Sequence, residues 1–208
     1  MREKTLGVIL AGGLARRMGG GDKGRLDLGG RTPLAELTAR MKPQCAALIL
    51  NANGDPARFE DLGLEVVPDG VPGFLGPLAG ILAGMDHAAA LGLPFVLTAA
   101  SDTPFPPRDL GEKLAEAAAR EGRPVAMAAT RMEGRLMPHP TFGLWPAALR
   151  ADLRAALGAG VTRVRSWAEG HGAALAEFPA EPFDPFFNIN HPDDLAQARR
   201  LWQKLRLE

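Results

Sequence analysis

Short apolar runs, separated by longer amphipathic stretches, set the rhythm of this chain. Leu6 to Leu10 (interrupted only by Gly7), Ala46 to Leu50, Leu64 to Val67, Phe95 to Ala99 and Val125 to Ala129 are each four or five residues long. Runs so short and so apolar are the pattern of buried parallel strands. Between the first two, Leu34, Leu37 and Met41 recur at helical spacing, with Thr32 as N-cap, Pro33 as first helical residue and Pro43 beyond the end. A short helix is expected between the second and third strands. Longer ones are predicted from about Pro77 to Leu91, Arg108 to Arg120, Pro146 to Leu157, Thr162 to Glu169, and Pro192 to about Leu205. Asp193 and Asp194 suit the positive end of the last helix. Leu26 to Thr32 reads as a short strand and turn, Met137 to Leu144 as a loop into a strand, Ala173 to Phe178 as a strand, and Phe186 to Asn190 as a short extended piece. Strands and helices alternate, which predicts a three-layer α/β/α sandwich with a mainly parallel central sheet. No linker or internal repeat divides residues 1–208, so one domain is expected.

Composition narrows the classes. A chain of 208 residues buries roughly 70% of its unfolded surface and needs no staples. The formal net charge is zero, which argues against nucleic-acid or membrane-surface binding. Cys45 is the single cysteine and precedes an apolar run. Core packing is its expected role, in a reducing compartment. The first residues carry no signal-peptide pattern, and no apolar run approaches a membrane span. A cytoplasmic location is expected.

Charge is concentrated in one place. After the first strand comes a loop with Gly12, Gly13, Gly19, Gly20 and Gly21, closing on Asp22-Lys23-Gly24. Arg16, Arg17, Lys23, Arg25 and Arg31 face only Asp22 and Asp27, a local excess of three positive charges. Glycines let backbone N–H groups approach an anion closely, and clustered cations on such a loop suit a polyphosphate. Two common phosphate loops are excluded. Lys23 lies between Asp22 and Gly24, not before Ser or Thr, and no G-x-G-x-x-G opens a helix. What fits is L-A-G-G-x-x-x-R-M-G-x-x-D-K, which resembles the signature of the nucleotidyltransferase superfamily.

Asp69, Asp102, Asn188 and Asn190 follow apparent strand ends, the edge where α/β sheets bind ligands and from which the glycine loop leaves. Asp102 follows a buried strand and is stiffened by Pro104, Pro106 and Pro107. Beside a triphosphate it is a natural Mg²⁺ ligand; its other reading is a cap of the following helix. Asn190 is a second oxygen for the metal, an orienter of the acceptor, or a cap at Pro192. Arg17 and Lys23 are assigned to phosphate, Arg as a planar fork and Lys as a point charge. Arg16 reads as their solvated neighbour. His139, between Pro138 and Pro140, reads as a pocket or structural residue, because a phosphate acceptor is already ionised and needs no base. His87, His171 and His191 show no metal-ligand spacing.

Four segments carry a closer resemblance: LAGGLARRMGGGDKG at 10–24, GPLAGI at 76–81, SDTP at 101–104 and NINHPDDL at 188–195. Together they resemble molybdenum cofactor guanylyltransferases. The resemblance implies a Rossmann-like nucleotidyltransferase fold and Mg²⁺-dependent transfer of GMP from GTP to molybdenum-bound molybdopterin, releasing pyrophosphate. It also implies that Leu10, Ala11, Gly12, Gly13, Asn51 and Asp69 contact the guanine nucleotide. Lys23 matches the phosphate lysine and Asp102 the metal and nucleotide ligand. His139, Asn188 and Asn190 are acceptor-side candidates. On residues alone Asn51 is an ordinary turn residue. Transient contacts with other cofactor-biosynthesis proteins and apo-molybdoenzymes are implied, and a monomer is expected. Three alternatives stay open: a cytidylyltransferase on the same pterin, a transferase for another small phosphorylated acceptor, and a nucleotide-binding module without turnover.

Overall fold

The computed structural model describes residues 1–11, 23–73 and 76–206. Among them, seven strands form one sheet: β1 (Thr5–Leu10), β2 (Ala47–Asn51), β3 (Glu65–Val67), β4 (Phe95–Ala100), β5 (Ala126–Met132), β6 (Arg135–Pro146) and β7 (Ala174–Phe178). Their order across the sheet is β3-β2-β1-β4-β6-β5-β7. β1 pairs in parallel with β2 and β4, β2 with β3, and β5 with β7, while β6 runs antiparallel to both its neighbours.

Side-chain alternation sorts the helices into two layers. Leu6, Val8 and Leu10 of β1 point to one face, where they meet Leu78, Ile81, Leu82 and Met85 of α2 (Pro77–Ala90). Leu153 and Leu157 of α4 (Arg150–Gly158) and Trp167 of α5 (Val164–Gly170) extend that layer. Ile9, Leu50 and Leu97 point the other way, onto Leu34, Leu37 and Met41 of α1 (Pro33–Met41) and Leu110 and Leu114 of α3 (Leu110–Glu121). Period-two strands between two apolar helix faces give the three-layer sandwich. Each Leu so buried contributes about 1.5–3 kcal/mol against exposure. Gly7 interrupts the β1 run because a Cβ there would lie 2.6 Å from Leu48 Cδ1 and 2.7 Å from Cys45 Sγ. Cys45 is buried, and burial pushes its thiol up to about 12, so it is an inert packing group.

A third, smaller core lies under the last helix, α6 (Pro192–Leu205). Leu28, Phe105, Ile189 and Ala198 are buried together there. It explains one departure from the pattern. Leu26 to Thr32 is not a strand but a turn, with Leu28 drawn into that core. Asp27 Oδ1 accepts from the N–H groups of Gly29 (2.9 Å) and Gly30 (2.8 Å), which hold its carboxyl below the usual carboxylate range. Phe186 to Asn190 also pairs with no strand. Pro138, His139 and Pro140 lie inside β6, not in a loop before it. Only Leu144 to Pro146 of β6 pair with β4, so the prolines sit where the strand has β5 alone as neighbour.

Candidate functional site

The carboxyl rim of the sheet is assembled by the parallel ladder. Leu10 lies opposite Asn51 on one side and Ala100 on the other. Ala11 N donates to Asn51 O at 2.8 Å, and Ser101 N donates to Leu10 O at 3.0 Å. The connections on the two sides of β1 lead in opposite directions, so this is the sheet's topological switch point, where open α/β folds receive ligands. The glycine loop leaves β1 here. Gly12, Gly13, Arg16 and Arg17 lie outside the described residues. Lys23 begins the short 3-10 turn Lys23–Arg25 at the far end of the loop.

On the β2–β3 side, Asn51 and Asp69 form one unit. Asn51 is 3% exposed, and its Nδ2 donates to Val67 O (3.1 Å) and to Asp69 Oδ1 (3.0 Å). Asn53 Nδ2 donates to Asp69 Oδ2 at 2.8 Å, and Asn53 Oδ1 accepts from Asp69 N at 2.9 Å. Asp69 is therefore oriented from both oxygens by neutral amides. A carboxylate has about four lone-pair positions, so it retains capacity for a ligand's donors. GPLAGI gains a physical reason here. A Cβ on Gly80 would fall 2.2 Å from Asn51 Oδ1 and 2.8 Å from Leu10 Cδ2. The glycine lets α2 rest on the Asn51 side chain, and even a methyl group would cost about 1–3 kcal/mol in overpacking.

On the β4 side, Asp102 ends the turn after the strand. Its backbone oxygen accepts from Ile189 N at 2.8 Å, which draws the segment carrying Asn188 and Asn190 onto the same rim. Asp102 does not cap the following helix, because α3 starts at Leu110 with Asp109 as N-cap residue. Asn190 is not the cap of α6. His191 takes that position in a capping box, and Asp194 Oδ2 accepts from the backbone N–H groups of Asn190 and His191, each at 2.8 Å. Asp102 and Asn190 offer oxygen donors only, the hard set that Mg²⁺ takes together with phosphate oxygens. Among the described residues no group of three or more His, Cys, Asp or Glu could hold a metal. One carboxylate beside a nucleotide is nevertheless enough for that ion's usual site.

His139 is half-buried further along the rim. Its Nε2 lies 2.8 Å from Thr130 Oγ1, and its ring stacks on Phe186 at 4.5 Å. Burial holds the imidazole below the usual histidine range, against the opposing pull of Asp184. A neutral ring clamped between Thr130 and Phe186 anchors the segment leading to Asn188. Arg25 is ion-paired with Asp61, and Arg31 with the buried Glu36 at 3.4 Å, which also holds Arg40 Nε at 2.7 Å. Two of the five cations counted in the loop region are thus partnered with acids outside it. Asn53 and Thr103 are the site residues that sequence reasoning gave no role. For Thr103 the available signal was a polar residue directly beside an acid at a strand end.

A family model described as a MobA-like NTP transferase domain matches residues 7–175. A Nitrobacter hamburgensis protein named molybdenum cofactor guanylyltransferase is 50% identical over 200 residues, covering 95% of this chain and 94% of its own. One of the same name from Mesorhizobium japonicum is 50% identical over 211 residues, covering 99% of each. Among solved structures, molybdopterin-guanine dinucleotide biosynthesis protein A of Archaeoglobus fulgidus superposes with a TM-score of 0.69, covering 96% of this chain and 99% of that one. Its 24% sequence identity makes that a likeness of fold.

Proposed function

This chain belongs to the MobA-like NTP transferase family, and on that premise we propose that it transfers GMP from GTP onto the terminal phosphate of molybdenum-bound molybdopterin. The products are the guanine dinucleotide cofactor and pyrophosphate. The observation that carries the reading is the layout around β1. The loop leaves the middle of the rim, the Asn51–Asp69 unit stands on one side, and Asp102 with the Asn188–Asn190 segment stands on the other. A nucleotide lying across β1 then has its base toward β2 and β3 and its triphosphate toward β4. The relatives that share half this chain's residues carry the same activity in their names.

An oxygen of the acceptor phosphate attacks the α-phosphorus, forming a new P–O bond. The bond from that phosphorus to the β-bridging oxygen breaks, and its electron pair leaves with pyrophosphate. The acceptor is already an anion, so no side chain need remove a proton, and no covalent enzyme intermediate is required. Arg17, Lys23 and the backbone N–H groups of Gly12 and Gly13 neutralise charge and hold the phosphates in line. Asp102 and Asn190 would hold Mg²⁺, which when bound supplies further neutralisation of the triphosphate. Asn188 holds the acceptor.

Base choice falls to Asp69. Guanine offers two adjacent donors, N1–H and the N2 amino group, and an ionised carboxylate accepts both as a bidentate pair. Adenine presents a ring acceptor there, which the carboxylate repels. Asp69→Asn is expected to lower the preference for GTP over ATP by about 1–3 kcal/mol, the worth of a good bidentate base contact. The measurement is kcat/KM for both nucleotides in wild type and variant. The ratio is the informative quantity, since the substitution also disturbs Asn51 and Asn53 and lowers both rates. An unchanged ratio would move base recognition to the backbone of Leu10 to Gly12.

A further inference from the structure

Thr103 follows Asp102 directly and is fully buried. Its hydroxyl oxygen lies 3.4 Å from Asp102 Oδ1 and donates a hydrogen bond to Asn188 Oδ1. One hydroxyl proton thus faces two acceptors, one on the residue before it and one on a residue 85 positions further on. The main chain closes the turn itself and ties it to the Asn188 segment. Thr103 N donates to Ala100 O at 3.2 Å, and Ile189 N donates to Asp102 O at 2.8 Å. Aromatic contacts flank it, with Phe105 edge-on to Phe183 at 6.2 Å and Phe186 against Phe142 at 4.9 Å.

Packing alone does not call for a hydroxyl here. Valine has the shape of threonine and buries no polar group, so a site that only needed filling would be served by it. The hydroxyl is aimed at a carboxylate and an amide, both at the rim. Asn188 is itself exposed, so its amide would turn freely without an anchor. With its oxygen held by Thr103, the amide presents its NH₂ group outward, a donor suited to an anionic oxygen.

We propose that Thr103 is a positioning residue whose hydroxyl locks the Asn188 amide and the Asp102 carboxylate into one arrangement. The group that holds the metal and the group that holds the acceptor phosphate then keep a fixed relation. This rests on the function proposed above. Its own consequence is that losing one buried hydroxyl changes how the protein uses Mg²⁺ and acceptor, but not how it reads guanine.

The test compares wild type, Thr103→Val, Thr103→Ser and Asn188→Ala. GTP binding is titrated at a series of Mg²⁺ concentrations, without acceptor, and KM for acceptor and for GTP at saturating Mg²⁺ is measured separately. Thr103→Val is expected to need about ten-fold more Mg²⁺ for half-maximal GTP binding, the effect of one lost hydrogen bond. Acceptor KM should rise by a similar factor, with KM for GTP nearly unchanged. Thr103→Ser should restore wild-type behaviour. Asn188→Ala cuts the same bond from its exposed end, where folding is not at risk, and should shift the Mg²⁺ requirement in the same direction. Unchanged Mg²⁺ requirement in Thr103→Val and Asn188→Ala, or a Ser variant as impaired as Val, would overturn the proposal. Wild type without any Mg²⁺-dependent GTP binding would overturn the functional reading along with it; wild type that binds normally beside unaffected variants would remove the positioning role alone.

Discussion

Asp102→Asn is expected to lower metal-dependent transfer on the order of 10³-fold, the several kcal/mol a bound metal supplies, while the protein stays folded. Two main-chain bonds seat this turn whatever the side chain, from Ile189 N to Asp102 O and from Thr103 N to Ala100 O. An asparagine has the same shape and keeps an oxygen toward Thr103, but it loses the negative charge that draws a divalent cation to the rim. Stability and metal use should therefore separate. The melting temperature without ligand stays near wild type, and turnover falls most steeply at limiting Mg²⁺. Near-normal turnover at limiting Mg²⁺ would remove Asp102 from the metal site.

Lys23→Ala is the second large effect. Its kcat is expected to fall on the order of 10²–10³-fold, the usual cost of removing one preorganised donor from a developing charge, with KM for GTP changing little. A triphosphate in the ground state has other cations and N–H groups to hold it, whereas charge crowds at the α-phosphate only during attack. Lys23 opens the short 3-10 turn Lys23–Arg25. The 3-10 turn it begins runs straight into Arg25, tied to Asp61, and then to the buried Leu28. A variant with raised KM and unchanged kcat would make Lys23 a binding residue only.

Most of the frame was legible because it rests on local apolar runs. β1, β2 and β4 are largely buried on both faces, so their sequences read as nearly continuous hydrophobic stretches. Asp102 was legible for the same reason: a rigid strand ends just before it. The failures have a common cause in contacts far apart along the chain. Leu26 and Leu28 alternate with Asp27 as in a strand. The partner that claims Leu28 is α6, nearly 170 residues on, and Arg199 Nε of that helix also holds Asp27 O at 2.8 Å. Pro138 and Pro140 suggested a loop because proline donates no ladder bond, yet a strand with one unpaired side tolerates them. Arg25 and Arg31 counted as loop cations until their partners, Asp61 and Glu36, came into view. The Asn51–Asp69 bond links the ends of two strands, and the Thr103–Asn188 bond links a strand end to the irregular segment before α6, so neither pair is visible in a short window of sequence.

The most direct test supplies purified protein with Mg²⁺ and molybdenum-bound molybdopterin, and with GTP or CTP in separate reactions. Pyrophosphate and the dinucleotide product are measured together. The account predicts one pyrophosphate per guanine dinucleotide formed with GTP, and far slower release with CTP. Equal or faster release with CTP would make this a cytidylyltransferase, and tight GTP binding with no pyrophosphate released would make it a binding module; either result contradicts guanylyl transfer.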